Sequence, residues 1–389
     1  MADKNYLKIA QVFQDIADGL ETGSFGKRPT IAVTGHGSEH GEENVMAGAV
    51  AAAAKGIDVV YLGTLPAPEG SGVKSISTTS ADKDLEVMEE LLTSGQADAA
   101  VAMHYSFPIG VSTIGLVDTP ARGRKMFLAS TTGTSSSDRV SGMVLNAIAG
   151  VAVAKAEGKS DPSVGILNLD GARQVERILK QLADKGYKLT FSESARVDGG
   201  CVLRGNDVLL GTPDVMVTDS LTGNVLMKLL SAGSSGGVYE TSGYGYGPGV
   251  GDGYERIVLI VSRASGAPLI ARAIEYAAAM VKGDLPGRVA EEFAAAKKAG
   301  LEQMLSEHRA KSAPQAKPED DFVKPEKEIV TGEIAGVDVM DLDAAVTALM
   351  RAGYYAESGM GCTGPIIRVA EDKLEAAYKV LLEADFVTE

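Results

Sequence analysis

Seven short apolar runs, most of them separated by helix-like stretches, constrain this chain more than any other feature. The runs are Thr30–Val33, Ile57–Leu62, Ala97–Ala102, Met126–Ala129, Val164–Leu167, Asp214–Val217 and Ile257–Val261. Helical patterns fill Glu42–Lys55, Asp82–Ser94, Ser137–Glu157, Ala172–Lys185 and Ala267–Val281. The strand-like runs are continuously apolar instead of alternating, so both faces of each strand must be covered. A doubly wound, mostly parallel α/β sheet is the expected fold class. In such sheets ligands sit beyond the C-terminal ends of the strands, so the loops after these runs are where chemistry is sought.

Residues 3–22 carry Ile9, Val12, Phe13, Ile16 and Leu20 at helical spacing, which predicts an amphipathic opening helix. A single long helix is predicted from Pro286 to about Arg309. The stretch after it mixes proline with charge and has no apolar period, as a linker does. The expected organisation is therefore an α/β domain over 1–309, a linker over 310–327 and a small α/β module over 328–389.

The two cysteines, Cys201 and Cys362, lie far apart in the chain, which argues against a disulfide framework and for a reducing compartment. The N-terminus has no basic start followed by an apolar core, and no apolar run approaches the roughly 20 residues that span a bilayer. A soluble, cytoplasmic protein is expected. The net charge of −15 and the lack of a basic cluster disfavour nucleic acid and anionic membranes as partners.

Cys362 is the outstanding candidate nucleophile. It sits in Glu357-Ser-Gly-Met-Gly-Cys-Thr-Gly-Pro, where glycines clear the space around the sulfur for an electrophile or a partner. Cys201 reads as structural, and His308 as a solvated position on the helix before the linker. The backbone N–H groups of Gly361, Thr363 and Gly364, or those of Gly236 and Gly237, are candidates for an oxyanion site.

The first run ends in Gly35-His-Gly-Ser-Glu-His-Gly, directly before a helix. His36 and His40 there could be an acid/base pair or anion contacts, a metal site, or a plain polar loop; the acids nearby are not at a recognised ligand spacing, and no metal is assigned. The dinucleotide-binding glycine pattern is absent. In Gly211–Lys228 a strand delivers Thr218, Asp219 and Ser220 to its C-terminal end, and Thr222, Gly223 and Asn224 then open a helix, with capping by Ser220 or Thr222 as the alternative use. Glycines crowd Gly243–Tyr254, which predicts a mobile, closely approachable loop. Ser262, Arg263 and Ser265 open a helix after the last run, a plausible phosphate seat.

Three stretches, Asp161–Asn168, Gly211–Lys228 and Ser262–Ile274, resemble in order and spacing segments of the phosphate acyltransferases of phospholipid synthesis. That likeness spans Pro29–Val281. Together with the Gly-Met-Gly-Cys-Thr-Gly-Pro module, nearly the whole chain looks like the alpha subunits of component C of glycine/sarcosine/betaine reductase complexes. The resemblance implies a phosphotransacetylase-like fold and a role in amino-acid fermentation. It also implies an acetyl group held as a thioester on Cys362 and released to inorganic phosphate as acetyl phosphate. It implies a hetero-oligomer with the component C beta subunit and selenoprotein A as partners; the sequence carries no electron-transfer cofactor motif, so no cofactor is expected. The other activities to weigh are a free-standing acyltransferase of lipid synthesis and a non-catalytic, partner-binding subunit.

Overall fold

The computed structural model describes residues 12–13, 16–17, 28–194, 200–312, 324–337, 341–361, 364–384 and 386–387. Most of the expected opening helix, most of the linker, and both Cys362 and Thr363 lie outside the described residues.

In chain order the strands are β1 (Thr30–Thr34), β2 (Asp58–Gly63), β3 (Val73–Ser77), β4 (Ala99–Ala102), β5 (Val111–Asp118), β6 (Lys125–Thr134), β7 (Ser163–Leu167), β8 (Thr190–Phe191), β9 (Val202–Leu203), β10 (Val215–Val217), β11 (Gly247–Val250), β12 (Val258–Ile260), β13 (Gly332–Ala335), β14 (Ala356–Gly361) and β15 (Gly364–Val369). The helices used below are α1 (Glu42–Ala53), α2 (Ala81–Thr93), α3 (Arg139–Ala156), α4 (Ala172–Asp184), α5 (Gly205–Leu210), α6 (Ser220–Ala232), α7 (Ala267–Lys282), α8 (Leu285–Lys298), α9 (Leu301–Ser312), α10 (Leu342–Arg351) and α11 (Leu374–Glu383).

The chain divides into two units. The first comprises Met1–Met103, Ser231–Gly245 and Arg256–Asp284. Its strands run in the order β3-β2-β1-β4-β12, every pair parallel. The interior strands are apolar throughout because helices cover both faces: β4 is buried at every residue. α1 and α7 pack together so tightly that a Cβ on Gly48 would strike the Ile270 side chain. Ser80 caps α2, its side chain accepting from the Lys83 N–H at 3.3 Å.

The second unit comprises His104–Leu230, Tyr246–Glu255 and Leu285–Glu389. Its main sheet has the order β11-β5-β6-β10-β7-β8, with β9 also on β7. β6, β10 and β7 are parallel, whereas β5 runs antiparallel to both β6 and β11. The sheet is therefore mixed. α3 is the central helix, capped by Asp138, whose side chain accepts from the Ser141 N–H at 2.7 Å. It is long and apolar enough to cross a membrane, yet 83% of it is buried inside the protein.

In the same unit β13, β15 and β14 form a three-stranded antiparallel sheet over α10 and α11, around a core of Ile334, Leu342, Leu349, Ile367, Val369 and Leu381.

Three expectations are corrected. The long helix before the linker is two, α8 and α9, because Gly300 takes a left-handed backbone, φ 95°, and breaks the helix there. The glycine-rich stretch 243–254 contains a buried strand, β11, instead of a mobile loop. Its glycines answer to close packing: a Cβ on Gly247 would run into the Ile114 carbonyl, and one on Gly249 into the Phe107 ring. His308 is only 17% exposed and faces Asp138 at 3.6 Å instead of standing in solvent.

Candidate active site

The first unit gathers the polar residues at the C-terminal ends of β1 and β12. The loop after β1 donates the Glu39 N–H to the Arg263 carbonyl at 2.9 Å. Asn44 at the start of α1 clamps the second loop, donating from Nδ2 to the Ser265 carbonyl at 2.9 Å and accepting from the Ala267 N–H at 2.8 Å. The Ser265 hydroxyl is buried and makes no hydrogen bond among the described residues, while Arg263 is exposed. His36, His40, Ser262, Arg263 and Ser265, read from two segments more than 220 residues apart, thus belong to one cluster.

Within it His36 is the most constrained residue. Its Nδ1 lies 3.0 Å from Asp84 Oδ1 and its backbone N–H 3.0 Å from Asp84 Oδ2. Glu42 lies on the other side of the ring, 3.8 Å from Nε2. Burial alone would raise the Glu42 carboxyl, but hydrogen bonds from the Tyr61 hydroxyl and from Thr64 outweigh it and hold the group below its ordinary value. Tyr61 is driven strongly upward by burial and by that same carboxylate. His40 is exposed and meets Tyr239 edge to face at 5.6 Å.

The second unit holds a cavity of about 320 Å³. Ser130, Ser135, Ser136, Ser137, Arg139, Asn146, Asp219 and Ser220 line it, with Met143 and Leu221 as apolar wall. The N-terminus of α3 lines it through Arg139, Gly142 and Met143, so the positive end of the helix faces the space. Arg139 pairs with Asp219 there. The Ser130 hydroxyl is fully buried and makes no hydrogen bond among the described residues, which is costly unless something enters the cavity to meet it. A polar network supports this wall. Asn146 Oδ1 accepts from Ser112 and Ser135 at 2.9 and 2.6 Å, and Asn146 Nδ2 donates to the Thr218 carbonyl at 3.0 Å. The Thr218 hydroxyl donates to the Ser130 carbonyl at 2.9 Å. Asn224 stands one turn into α6 and donates to the Thr131 carbonyl at 3.2 Å.

Of the residues expected from sequence, Asp219 lines this cavity and Asn224 braces its wall. Cys362 and Thr363 lie outside the described residues, but the strands leading to and from them are described: β14 and β15 pair antiparallel down to Gly361 opposite Gly364. The run up to Gly361 is therefore a strand, not a loop. β14 comes within 8 Å of β6, Cα to Cα, and the C-terminal half of β6 carries Ser130, Gly133 and Thr134 into the cavity wall. Cys201 is buried with its Sγ 3.4 Å from Glu176 Oε1, and burial followed by that carboxylate pushes its thiol up to about 11. A thiol so held is a poor nucleophile.

Sequence reasoning missed Asp84, Ser130 and Arg139. Asp84 looks like any acid in a first helical turn, and Arg139 like any residue opening a helix. The serine run Ser135–Ser137 before Arg139 was the available signal.

The family model described as fatty acid synthesis protein matches residues 29–368. The chain is 53% identical over 381 residues to the glycine/sarcosine/betaine reductase complex component C subunit alpha of Peptoclostridium acidaminophilum, covering 97% of this chain and 98% of that one. It is 30% identical over 233 residues to the phosphate acyltransferase of Thermus thermophilus, covering 51% of this chain and 70% of the relative. A branched-chain phosphotransacylase from Enterococcus faecalis superposes with a TM-score of 0.47 at 14% identity, over 65% of this chain and 99% of that one.

Proposed function

Since this chain belongs to the fatty acid synthesis protein family, and to the component C alpha subunits of glycine/sarcosine/betaine reductase, we propose that it transfers an acetyl group from a thioester on Cys362 to inorganic phosphate. The product is acetyl phosphate. The component C beta subunit and selenoprotein A are its partners in that reading.

One observation carries it. The strand that ends one residue before Cys362 lies beside the strand whose far end presents a buried hydroxyl, unsatisfied among the described residues, to a serine-rich cavity. A sulfur is a strong nucleophile and a good leaving group, so it can accept an acetyl unit in one step and yield it in the next. The Ser130 hydroxyl, Arg139 and the α3 N-terminus are the groups that stabilise the negative oxygen formed at the thioester carbonyl. The N–H groups of Gly361, Thr363 and Gly364 are the competing donors. In the first unit His36, His40, Ser262, Arg263 and Ser265 are the candidate phosphate contacts; in the second, Asp219 and Asn224 are the candidate substrate contacts.

Intact-protein mass measurement after incubation with acetyl phosphate tests the reading. An acetyl adduct that maps to Cys362 and is absent in Cys362→Ser is expected. An adduct that persists in the serine variant on another residue overturns it. The 30% identity to a phosphate acyltransferase favours one second reading, acyl transfer in lipid synthesis, and acyl carrier protein thioesters as donors decide between the two.

A further inference from the structure

Asp84 has no exposed surface, and a carboxylate so buried persists only if its lone pairs are filled. The described donors to its side chain are the His36 backbone N–H at 3.0 Å, the Thr78 hydroxyl at 2.5 Å and His36 Nδ1, 3.0 Å from Oδ1 and 3.1 Å from Oδ2. With two carboxylate oxygens facing it, Nδ1 is the nitrogen that carries the ring proton. Nε2 is left as an acceptor. It lies 3.8 Å from Glu42 Oε1, beyond hydrogen-bond reach, on a side chain 18% exposed.

Glu42 is itself an acceptor, pinned by the Tyr61 hydroxyl at 2.5 Å, the Thr64 N–H at 2.7 Å and the Thr64 hydroxyl at 2.8 Å. The open side of the ring therefore presents a lone pair next to a carboxylate. Only a ligand that brings its own hydrogen can satisfy Nε2. Donors stand nearby in the same unit. The loop after β1 is joined to the loop after β12 by the Glu39 N–H to the Arg263 carbonyl and by both Asn44 bonds. That second loop opens α7, a helix of 16 residues whose N-cap, Gly266, supplies no side-chain cap to its positive end. Just before it the Ser265 hydroxyl, 0% exposed, makes no hydrogen bond among the described residues, as expected of a group that awaits a ligand.

We propose that His36 is a specificity-determining residue of the first unit: its Nε2 accepts the hydrogen of a protonated tetrahedral oxyanion, hydrogen phosphate, and Asp84 is its positioning residue. This rests on the reading of the first unit's loops as the phosphate contacts. Arg263 and the α7 N-terminus take the charged oxygens, and the P–OH group donates to Nε2. Sulfate has the same shape but no hydrogen to give. It would leave Nε2 unpaired and set a bare oxygen against Glu42, so the site rejects it.

The test measures binding of inorganic phosphate, arsenate and sulfate to the full chain by calorimetry, at constant ionic strength and mildly alkaline pH, where phosphate and sulfate are both dianions. The wild type should hold phosphate and arsenate, which carry a proton, at least about tenfold more tightly than sulfate. His36→Asn keeps a donor in the place of Nδ1 and has no atom in the place of Nε2. It should weaken phosphate about tenfold, leave sulfate as it was and so erase the preference. A wild-type preference within about threefold, or one that His36→Asn leaves intact, overturns the role of His36. Should that variant not fold, the wild-type preference and the ¹⁵N signature of the His36 ring decide: an Nε2–H tautomer leaves nothing to accept the hydrogen and overturns the proposal. Arg263→Ala should weaken both anions alike. If it weakens neither, or if the wild type binds no phosphate, the reading of these loops as the phosphate contacts falls and the proposal with it, whereas equal binding of the two anions removes His36 alone.

Discussion

Arg139 and Asp219 meet across the rim of the second unit's cavity, each where a helix begins. Arg139 opens α3, and Asp219 caps α6, its Oδ1 accepting from the Thr222 N–H at 2.7 Å. The arginine side chain is 41% exposed, so the pair contributes little to stability and its effect should fall on chemistry. Arg139→Ala is expected to leave thermal unfolding nearly unchanged and to slow acetyl release by about 10²-fold, the usual cost of losing one oxyanion donor. Asp219→Asn keeps the helix cap and should cost less than about tenfold. Release assays on loaded protein check both; an unaffected Arg139→Ala would remove this arginine from the site.

Gly223 is the packing hinge of the same wall. A Cβ there would be driven into the Ser130 carbonyl oxygen and the Thr218 hydroxyl, because α6 crosses β6 with backbone almost touching backbone. Gly223→Ala is expected to destabilise the protein by about 1–3 kcal/mol, as overpacking does, despite alanine's better helix propensity. Urea unfolding measures it. A gain in stability would show that the wall yields.

Glu292 ties α8 to the interior of the second unit. It accepts from Lys155 Nζ at 2.5 Å and from the Tyr187 hydroxyl at 2.9 Å, and Tyr187 is 2% exposed. Glu292→Ala strands a buried hydroxyl and a largely buried ammonium, for an expected loss of about 3 kcal/mol. Glu292→Leu combined with Lys155→Met should recover most of it, since the charge to be compensated is then gone. Denaturation midpoints of the three proteins check this, and equal losses in the single and double variants would sink the idea.

The strands legible in the sequence are those covered on both faces. β1, β2, β4, β7, β10 and β12 are apolar over most of their length for that reason, as is Met126–Ala129 of β6, and each fell where expected, although β6 runs on through the polar Ser130–Thr134. β3 was hidden because an edge strand such as Val73-Lys-Ser-Ile-Ser needs little apolar surface, and three of its five residues are exposed. β11 was hidden because the glycines demanded by contact with Ile114 and Phe107 look the same in sequence as glycines of a free loop. The site behaved likewise. His36 and Arg263 could be placed from their positions after strands, and they do fall together. Asp84 could not, since its role is set by which histidine it meets 48 residues away. Ser130 is informative only because it lacks a partner among the described residues, a property that no sequence displays.

Glu176 and Cys201 give the fold opposite responses to acid and base. For Glu176, burial works to raise the carboxyl, but hydrogen bonds from Lys180 at 2.8 Å, from Arg173 at 2.9 Å and from the Cys201 thiol at 3.4 Å outweigh it and bring it down to about 2. The unfolded chain binds that proton near its ordinary value of about 4.3, so the stabilisation is complete above this pH and is lost as pH falls towards about 2. Cys201 is the reverse case: pushed up to about 11 by burial and by Glu176, it stabilises the fold below the unfolded thiol's value of about 8.5 and loses that contribution as pH rises towards 11. Glu176→Gln removes the acid arm and weakens the alkaline one together. Denaturant midpoints across both pH ranges should therefore fall less steeply in the variant than in the wild type, and the Cys201 thiol should be alkylated at lower pH. Parallel stability curves for the two proteins, with unchanged alkylation, would show that the three donors do not act through this carboxylate.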